Sequence, residues 1–234
     1  MTVHSPRSCL CCAEPVQFSR RAALRIAGGG LLAATTLAPA ARAQSTLSPD
    51  AALKSLMDGN DRFVAKQLAS FQEDLDILKQ NTVAKQEPFA AVLSCADSRV
   101  PVELIFDQSI GHVFVTRVAG NVASAEIIAS LEYGAAVLGT KTILVLAHSG
   151  CGAVKAAMDG TAVPGQISTL YRLIRPAIDR ANGDLTVAGK ANAMIQAGLL
   201  RDASPVLADF VKRGELSVAA GYYDLATGKV TLLS

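Results

Sequence analysis

The sequence predicts an α/β fold: a central, mostly parallel β-sheet flanked by helices. Short apolar runs at 89–94 and 141–147 lack the polar alternation of a half-exposed strand, which suits strands buried on both faces, and a β-branched run at 112–119 reads as a further strand. Segments with helical spacing separate them, and strand, helix, strand, helix in sequence implies parallel strands joined by right-handed crossovers. Half of the 234 residues are hydrophobic and few are aromatic, enough for one domain with a sizeable core. No internal repeat is present.

In "LSPDAALKSLMDGNDRFVA", Ser48 is an N-cap, Pro49 takes the first helical position and Asp50 lies in the first turn. Leu53, Leu56, Met57, Phe63 and Val64 form an apolar face, and Gly59-Asn60 predicts a break, hence helix, turn, helix. Residues 70–87 are more polar and read as a further helix and a loop. "FAAVLS" (89–94) is the first strand, "VELIF" (102–106) a short helix, and β-branched "HVFVTRVA" (112–119) the second strand. "SAEIIASLEYGAAVLG" (124–139) is a helix stopped by Gly139, "KTILVLA" (141–147) the third strand, and "GAVKAAMDG" (152–160) a helix closed by Gly160. Three further helices follow, in "GQISTLYRLIRPAIDRA", "DLTVAGKANAMIQAGLLRDA" and "SPVLADFVKRG". "ELSVAAGYYDLATGKVTLL" is a closing hairpin turning at Ala226-Thr227-Gly228.

The net charge of +2 is too small to suggest a nucleic-acid partner, and it is unevenly placed. Residues 1–43 hold five arginines and one acid, leaving 17 basic and 19 acidic residues in 44–234. The leader carries the paired Arg20 and Arg21, then a mildly apolar, glycine-rich stretch, then small residues at Ala41 and Ala43. That order is a removable export signal of the twin-arginine type, cleaved near Ala43; an uncleaved amphipathic arm is the alternative. Its apolar part is too short for a stable membrane span. Cys9, Cys11 and Cys12 fall in this discarded segment, so 44–234, a single domain, keeps only Cys95 and Cys151. Export to an oxidising space would invite a disulfide between them.

Two strand ends carry chemistry. "LSCADSRVP" sets Cys95, Asp97 and Arg99 at spacing two, and "LAHSGCGAV" sets His148 and Cys151 at spacing three. In parallel sheets functional groups gather beyond the carboxyl ends of the strands, so these stretches converge despite their distance in sequence. Two thiolates and an imidazole suit zinc, and three such ligands leave a tetrahedral position for water or a carboxylate, the layout of a catalytic site. Cys151 starts a helix, whose dipole favours thiolate. Asp97 is placed to accept a hydrogen bond from zinc-bound water or to take the fourth position itself, and Arg99 to fork onto Asp97. A surface Asp–Arg pair beside two core cysteines is the plainer reading of the first stretch alone.

Cys95-x-Asp97-x-Arg99 with His148-x-x-Cys151 resembles the β-class carbonic anhydrases. The likeness extends through "FDQSIGHVFVTRVAGN" and "SLEYGAAVLGTKTILVLAHSGCGAV", covers most of 48–160 and, more loosely, the terminal hairpin. It implies one zinc per chain on Cys95, His148 and Cys151, and hydration of carbon dioxide to bicarbonate by zinc-bound hydroxide, with Asp97 and Arg99 as catalytic partners. It also implies a homodimer or dimer of dimers. Gln86 would bind substrate across the dimer interface, Phe114 and Tyr133 would be apolar pocket walls, and the Gly152 N–H would face a substrate oxygen. Taken singly, residues such as Phe114 and Tyr133 are more often plain core residues. Ala119 implies a slightly wider pocket. Relatives regulated by bicarbonate carry Trp three residues before the first cysteine; Val92 stands there and the chain has no Trp, so no such site is expected. Hydrolysis of carbon disulfide or carbonyl sulfide, and a scaffold without turnover, are the alternatives. His112 is expected to be a surface histidine rather than a proton shuttle. The segment 49–64 either embraces a partner subunit or packs on its own core.

Overall fold

The computed structural model describes residues 45–70 and 85–234. Every residue of β1 (Ala90–Ser94) and β3 (Thr142–His148) is buried, as their unbroken apolar runs require. With β2 (Val113–Arg117), β4 (Ser217–Tyr223) and β5 (Val230–Leu233) they form a five-stranded sheet of order β2-β1-β3-β4-β5. The first four strands are mutually parallel and β5 returns antiparallel. The closing hairpin is therefore part of the main sheet. Its turn forms where expected: the Asp224 carboxylate accepts from the amides of Ala226 and Thr227, and Gly228 N–H donates to the Asp224 carbonyl.

Alternate residues of the central strands point to opposite faces. Ala91, Leu93, Ile143, Val145 and Ala147 pack beneath α3 (Ala125–Tyr133), α6 (Leu185–Ala203) and α7 (Pro205–Lys212). Ala90, Val92, Leu144 and Leu146 pack beneath α1 (Pro49–Val64) and α2 (Val102–Ile105). A third cluster beside the sheet end joins Cys95 and Cys151 to α4 (Gly152–Asp159) and α5 (Ser168–Ile178). Among the described residues no helix is long and apolar enough to cross a membrane. The helix expected at 70–87 falls largely on residues 71–84, outside the described residues.

Two expectations need correction. The α3 run does not stay α-helical to its end: Gly134–Leu138 winds as one π-helical turn before Gly139 stops it at φ 77°. More instructive is α1, which is one unbroken helix with Ser48 as its cap, packed on its own sheet. Gly59 and Asn60 are buried inside it rather than breaking it. A Cβ at Gly59 would stand 1.8 Å from the Phe106 carbonyl oxygen, so only glycine admits this close approach. Asn60 donates to the carbonyls of Ile105 and Gly228 and accepts from Val230 N–H, stitching α1 to α2 and to the hairpin. Residues that read as a turn signal are the seam between three elements.

Asp107 ties down the next segment. Its buried carboxylate accepts from the amides of Ala69 and Ser70, the Ser70 hydroxyl and Arg62 Nε. Burial raises its pKa, but Arg62 and the Ser70 and Ala69 donors outweigh that and hold it at about 2.

Gly59→Ala separates propensity from packing. Helix propensity alone favours alanine by about 1 kcal/mol. The clash at Phe106 should reverse the sign and destabilise by about 1–3 kcal/mol, read from urea unfolding. An unchanged or raised midpoint would sink the close-approach account.

Candidate metal centre

Parallel pairing of β1 with β3, Ser94 opposite Leu146, delivers the two chemistry-bearing segments to one end of the sheet. Cys95 is the first residue beyond β1, while His148 is the last residue of β3 itself, one position short of the loop that was expected to hold it. The turn Ser149-Gly150 then brings the chain back, with Gly150 at φ 64°, and Cys151 becomes the N-cap of α4. The Sγ atoms of Cys95 and Cys151 are 3.9 Å apart, and the donor atoms of Cys95, His148 and Cys151 all lie within 4.8 Å of one another. All three residues are buried and the cysteines are free thiols.

The His148 ring is aimed by its backbone. Nδ1 lies 3.0 Å from the Ser149 carbonyl, which can only accept, so Nδ1 carries the proton and Nε2 keeps its lone pair. That Nε2 is buried without a hydrogen-bond partner. A bare imidazole nitrogen costs free energy in the interior unless something occupies its lone pair. With two sulfurs beside it, the donor set fits a borderline-soft cation such as zinc.

The thiols are tuned as a pair. The Cys151 hydrogen bond pulls the Cys95 thiol down to about 4 against burial, with Gly120 N–H and Asp97 N–H also favouring thiolate. The same bond, then burial and the Cys95 charge, push Cys151 up, although the amides of Val154 and Ala153 at the start of α4 act to lower it. Helix-start stabilisation of Cys151 is thus present and outweighed by the proton that the two sulfurs share. A cation replaces that proton and releases both thiolates.

Beside the cluster, Arg99 forks onto Asp97: Nε donates to Oδ1 at 2.9 Å and Nη2 to Oδ2 at 2.7 Å, while Arg99 N–H also donates to Oδ1. These bonds, led by the Arg99 side chain, hold the Asp97 carboxyl far below the usual carboxylate range. Asp97 Oδ2 stands 3.8 Å from His148 Nε2, so the carboxylate borders the cluster while remaining on Arg99. Arg99 Nη2 also reaches the Gly150 carbonyl at 3.3 Å, joining the two loops.

Two contributors carry no local sequence signal. Arg117, the last residue of β2, donates to the carbonyls of Cys95 (3.0 Å) and Asp97 (2.5 Å), pinning the segment that bears ligand and carboxylate. A basic residue closing a strand beside two chemistry-bearing strand ends is the only hint. Gly120 N–H donates to Cys95 Sγ at 3.3 Å.

The expected pocket residues divide. Gly152 opens α4 beside the cluster, with nothing within 4 Å of where its Cβ would be. Gln86 is exposed and precedes β1, and Phe114, paired with Ala91, lies near the start of β2 with its ring 6.3 Å from Tyr133. Within one chain Gln86, Phe114 and Tyr133 thus gather toward the opposite end of the strands from Cys95. Tyr133 is half exposed and Phe114 half-buried, so neither is an interior core residue. His112 is exposed just before β2, as expected of a surface histidine.

Comparison with known proteins agrees with this geometry. The family described as carbonic anhydrase matches residues 90–230. Carbonic anhydrase 2 of Mycobacterium tuberculosis is 34% identical over 193 residues, covering 79% of this chain and 93% of the relative. A carbonic anhydrase of Mycolicibacterium smegmatis is 37% identical over 197 residues, covering 80% and 94%. Among solved structures, the Coccomyxa β-carbonic anhydrase in complex with acetazolamide superposes with TM-score 0.61 at 29% identity, covering 77% of this chain and 86% of that one.

Cobalt(II) titration tests the donor set. The parent should take up cobalt with strong thiolate-to-cobalt charge-transfer absorption. Cys95→Ser and Cys151→Ser should each lose about half of it, and His148→Ala should lose tight binding, as expected when one of three protein ligands goes. Retention of full absorption in either cysteine variant would refute a two-thiolate centre.

Proposed function

This chain belongs to the β class of the carbonic anhydrases, enzymes of reversible carbon dioxide hydration, and we propose that Cys95, His148 and Cys151 hold its zinc, one ion per chain. The observation that carries the proposal is the buried His148 Nε2, left without a partner between two thiols at 3.9 Å from each other. Zinc held there supplies Lewis acidity that brings the pKa of water to about 7.

The chain's own groups do the rest. Asp97, ionised at any working pH, can only accept hydrogen bonds. It takes one from the attacking water and so turns that oxygen's lone pair toward carbon dioxide. Arg99 fixes the carboxylate in one rotamer, so the acceptor is in place before substrate arrives. The three Arg99 bonds also oppose Asp97 becoming a fourth zinc ligand, which supports a fourth position left to water. Gly152 opens α4 directly after Cys151 with open space where a side chain would stand, and its N–H is the group assigned to a substrate or bicarbonate oxygen.

We also propose that the working protein is a homodimer or dimer of dimers. Gln86, Phe114 and Tyr133 lie away from their own chain's cluster, so a pocket built from them and the metal centre needs a partner subunit. A related fold, from Sordaria macrospora at 19% identity and TM-score 0.65, is described as tetrameric.

For the leader, we propose twin-arginine export, cleavage near Ala43 and a periplasmic enzyme. Folded export lets the cytoplasm load zinc while Cys95 and Cys151 are still reduced.

Stopped-flow hydration of carbon dioxide by zinc-loaded protein is the direct test. Asp97→Asn should cut kcat by about 10²-fold or more, since an amide presents a donor where an acceptor is needed. Equal rates for parent and variant would exclude Asp97 from the reaction. In cells, Arg20→Lys with Arg21→Lys should leave the full-length chain uncleaved in the cytoplasm, where the parent fractionates with the periplasm shortened near residue 44. Unaltered fractionation of the double variant would end the twin-arginine reading.

A further inference from the structure

Two buried amides on α6 are fully engaged and belong to no part of the chemistry above. Asn192 and Gln196, one turn apart, are 0% and 1% exposed. Asn192 Nδ2 donates to the Gly120 carbonyl at 2.8 Å. A carbonyl only accepts, so the orientation of the Asn192 amide is determined, and its Oδ1 turns to Gln196 Nε2 at 3.2 Å. Gln196 Nε2 also donates to Leu173 O at 3.0 Å, and Gln196 Oε1 accepts from Ala123 N–H at 2.9 Å. Each amide is oriented by a backbone group that permits only one role.

The chain of bonds ends on a ligand. Gly120, whose carbonyl Asn192 holds, sends its N–H to Cys95 Sγ at 3.3 Å. Gly120 has φ 77°, followed by Asn121 at φ 43°, two successive left-handed residues that turn the chain after β2. A Cβ at Gly120 would approach Ile174 to 2.8 Å, so the turn is wedged against α5 from one side and tied by Asn192 from the other. Burying two amides on a helix interior is costly unless their placement is used.

We propose that Asn192 is a positioning residue of the metal centre: it holds Gly120 so that its N–H stays on Cys95 Sγ, with Gln196 holding Asn192. The N–H withdraws charge from the sulfur and fixes its direction, which sets how tightly and in what geometry Cys95 grips a cation. Outer hydrogen bonds of this kind change metal affinity by about 10–100-fold. The proposal rests on the zinc reading above.

The test compares Asn192→Ala and Gln196→Met with Leu200→Ala, which removes fully buried apolar bulk one turn further along the same helix and takes away no hydrogen-bonding group of the network. Zinc affinity is measured by chelator competition, thiolate-to-cobalt absorption by spectroscopy, and stability by urea unfolding. Asn192→Ala should bind zinc about 10–100-fold more weakly and shift the charge-transfer band. Gln196→Met should do both to a smaller degree. Leu200→Ala should lose stability yet keep zinc affinity within about twofold. The proposal is overturned if Gln196→Met and any folded Asn192→Ala bind zinc like the parent with an unshifted band, or if Leu200→Ala weakens zinc as much as they do. Should Asn192→Ala not fold, Gln196→Met decides alone. A parent that takes up no zinc removes the metal reading itself, and this proposal with it.

Discussion

The pairing of β1 with β3 is the constraint on which the site depends. Parallel neighbours share a direction, so both strands end on the same side of the sheet, and the register that sets Ser94 opposite Leu146 brings Cys95 and His148 to that one end. A slip of one residue would turn every β1 side chain to the other face and move Cys95 with it. Register is protected by burial on both faces: α1 and α2 cover one, α3, α6 and α7 the other. The hairpin reinforces this from the far side, because β4 follows β3 in register as far as His148 opposite Tyr223. The core is what gives the ligand positions their precision.

A sheet edge of this kind leaves backbone carbonyls without strand partners, and here guanidinium groups take them. Arg117 binds the carbonyls of Cys95 and Asp97, and Arg99 adds that of Gly150. Each arginine therefore joins segments from different strands through their carbonyls, and Arg99 holds the Asp97 carboxylate as well. This solves a local conflict: the loops must be irregular to aim Cys95, Asp97 and Cys151 inward, yet held well enough for a carboxylate to stay beside a cluster of thiols. The positive charge also offsets the negative charge that thiolates and Asp97 concentrate at one strand edge.

What could be read from the sequence divides along a physical line. Strands β1 and β3 and the caps Ser48 and Gly160 were legible because each is written in local spacing, and the convergence of Cys95 with His148 and Cys151 followed from the parallel topology that those strands imply. The Asp97–Arg99 fork, two residues apart, was legible too. Gly59 and Asn60 misled because the composition of a turn and that of a close helix contact are the same; only the Phe106 carbonyl distinguishes them. Asn192 and Gln196 were not legible at all, and Arg117 only through its place at a strand end. Their roles depend on contacts across 20 or more positions, and an amide inside an amphipathic helix carries no sign of its acceptor. The pocket residues Gln86, Phe114 and Tyr133 entered through family resemblance alone, and one chain does not unite them with the metal centre.

The thiol pair also bears on where such a centre can be assembled. Cys95 and Cys151 are free, and mutual hydrogen bonding biases one of them to thiolate, the form that both binds metal and attacks an oxidant. In an oxidising space, an unloaded chain would face competition between a cation and disulfide formation. Burial slows the oxidant, since both sulfurs are almost wholly enclosed, but burial exists only after folding. A chain threaded unfolded across a membrane would meet oxidant first and core second. One exported already folded meets it with His148, Gly120 N–H and the start of α4 in place around the sulfurs. The proposed twin-arginine route and the buried two-thiolate centre are thus one argument: a site whose protection is its own fold is best completed before the protein leaves the reducing side.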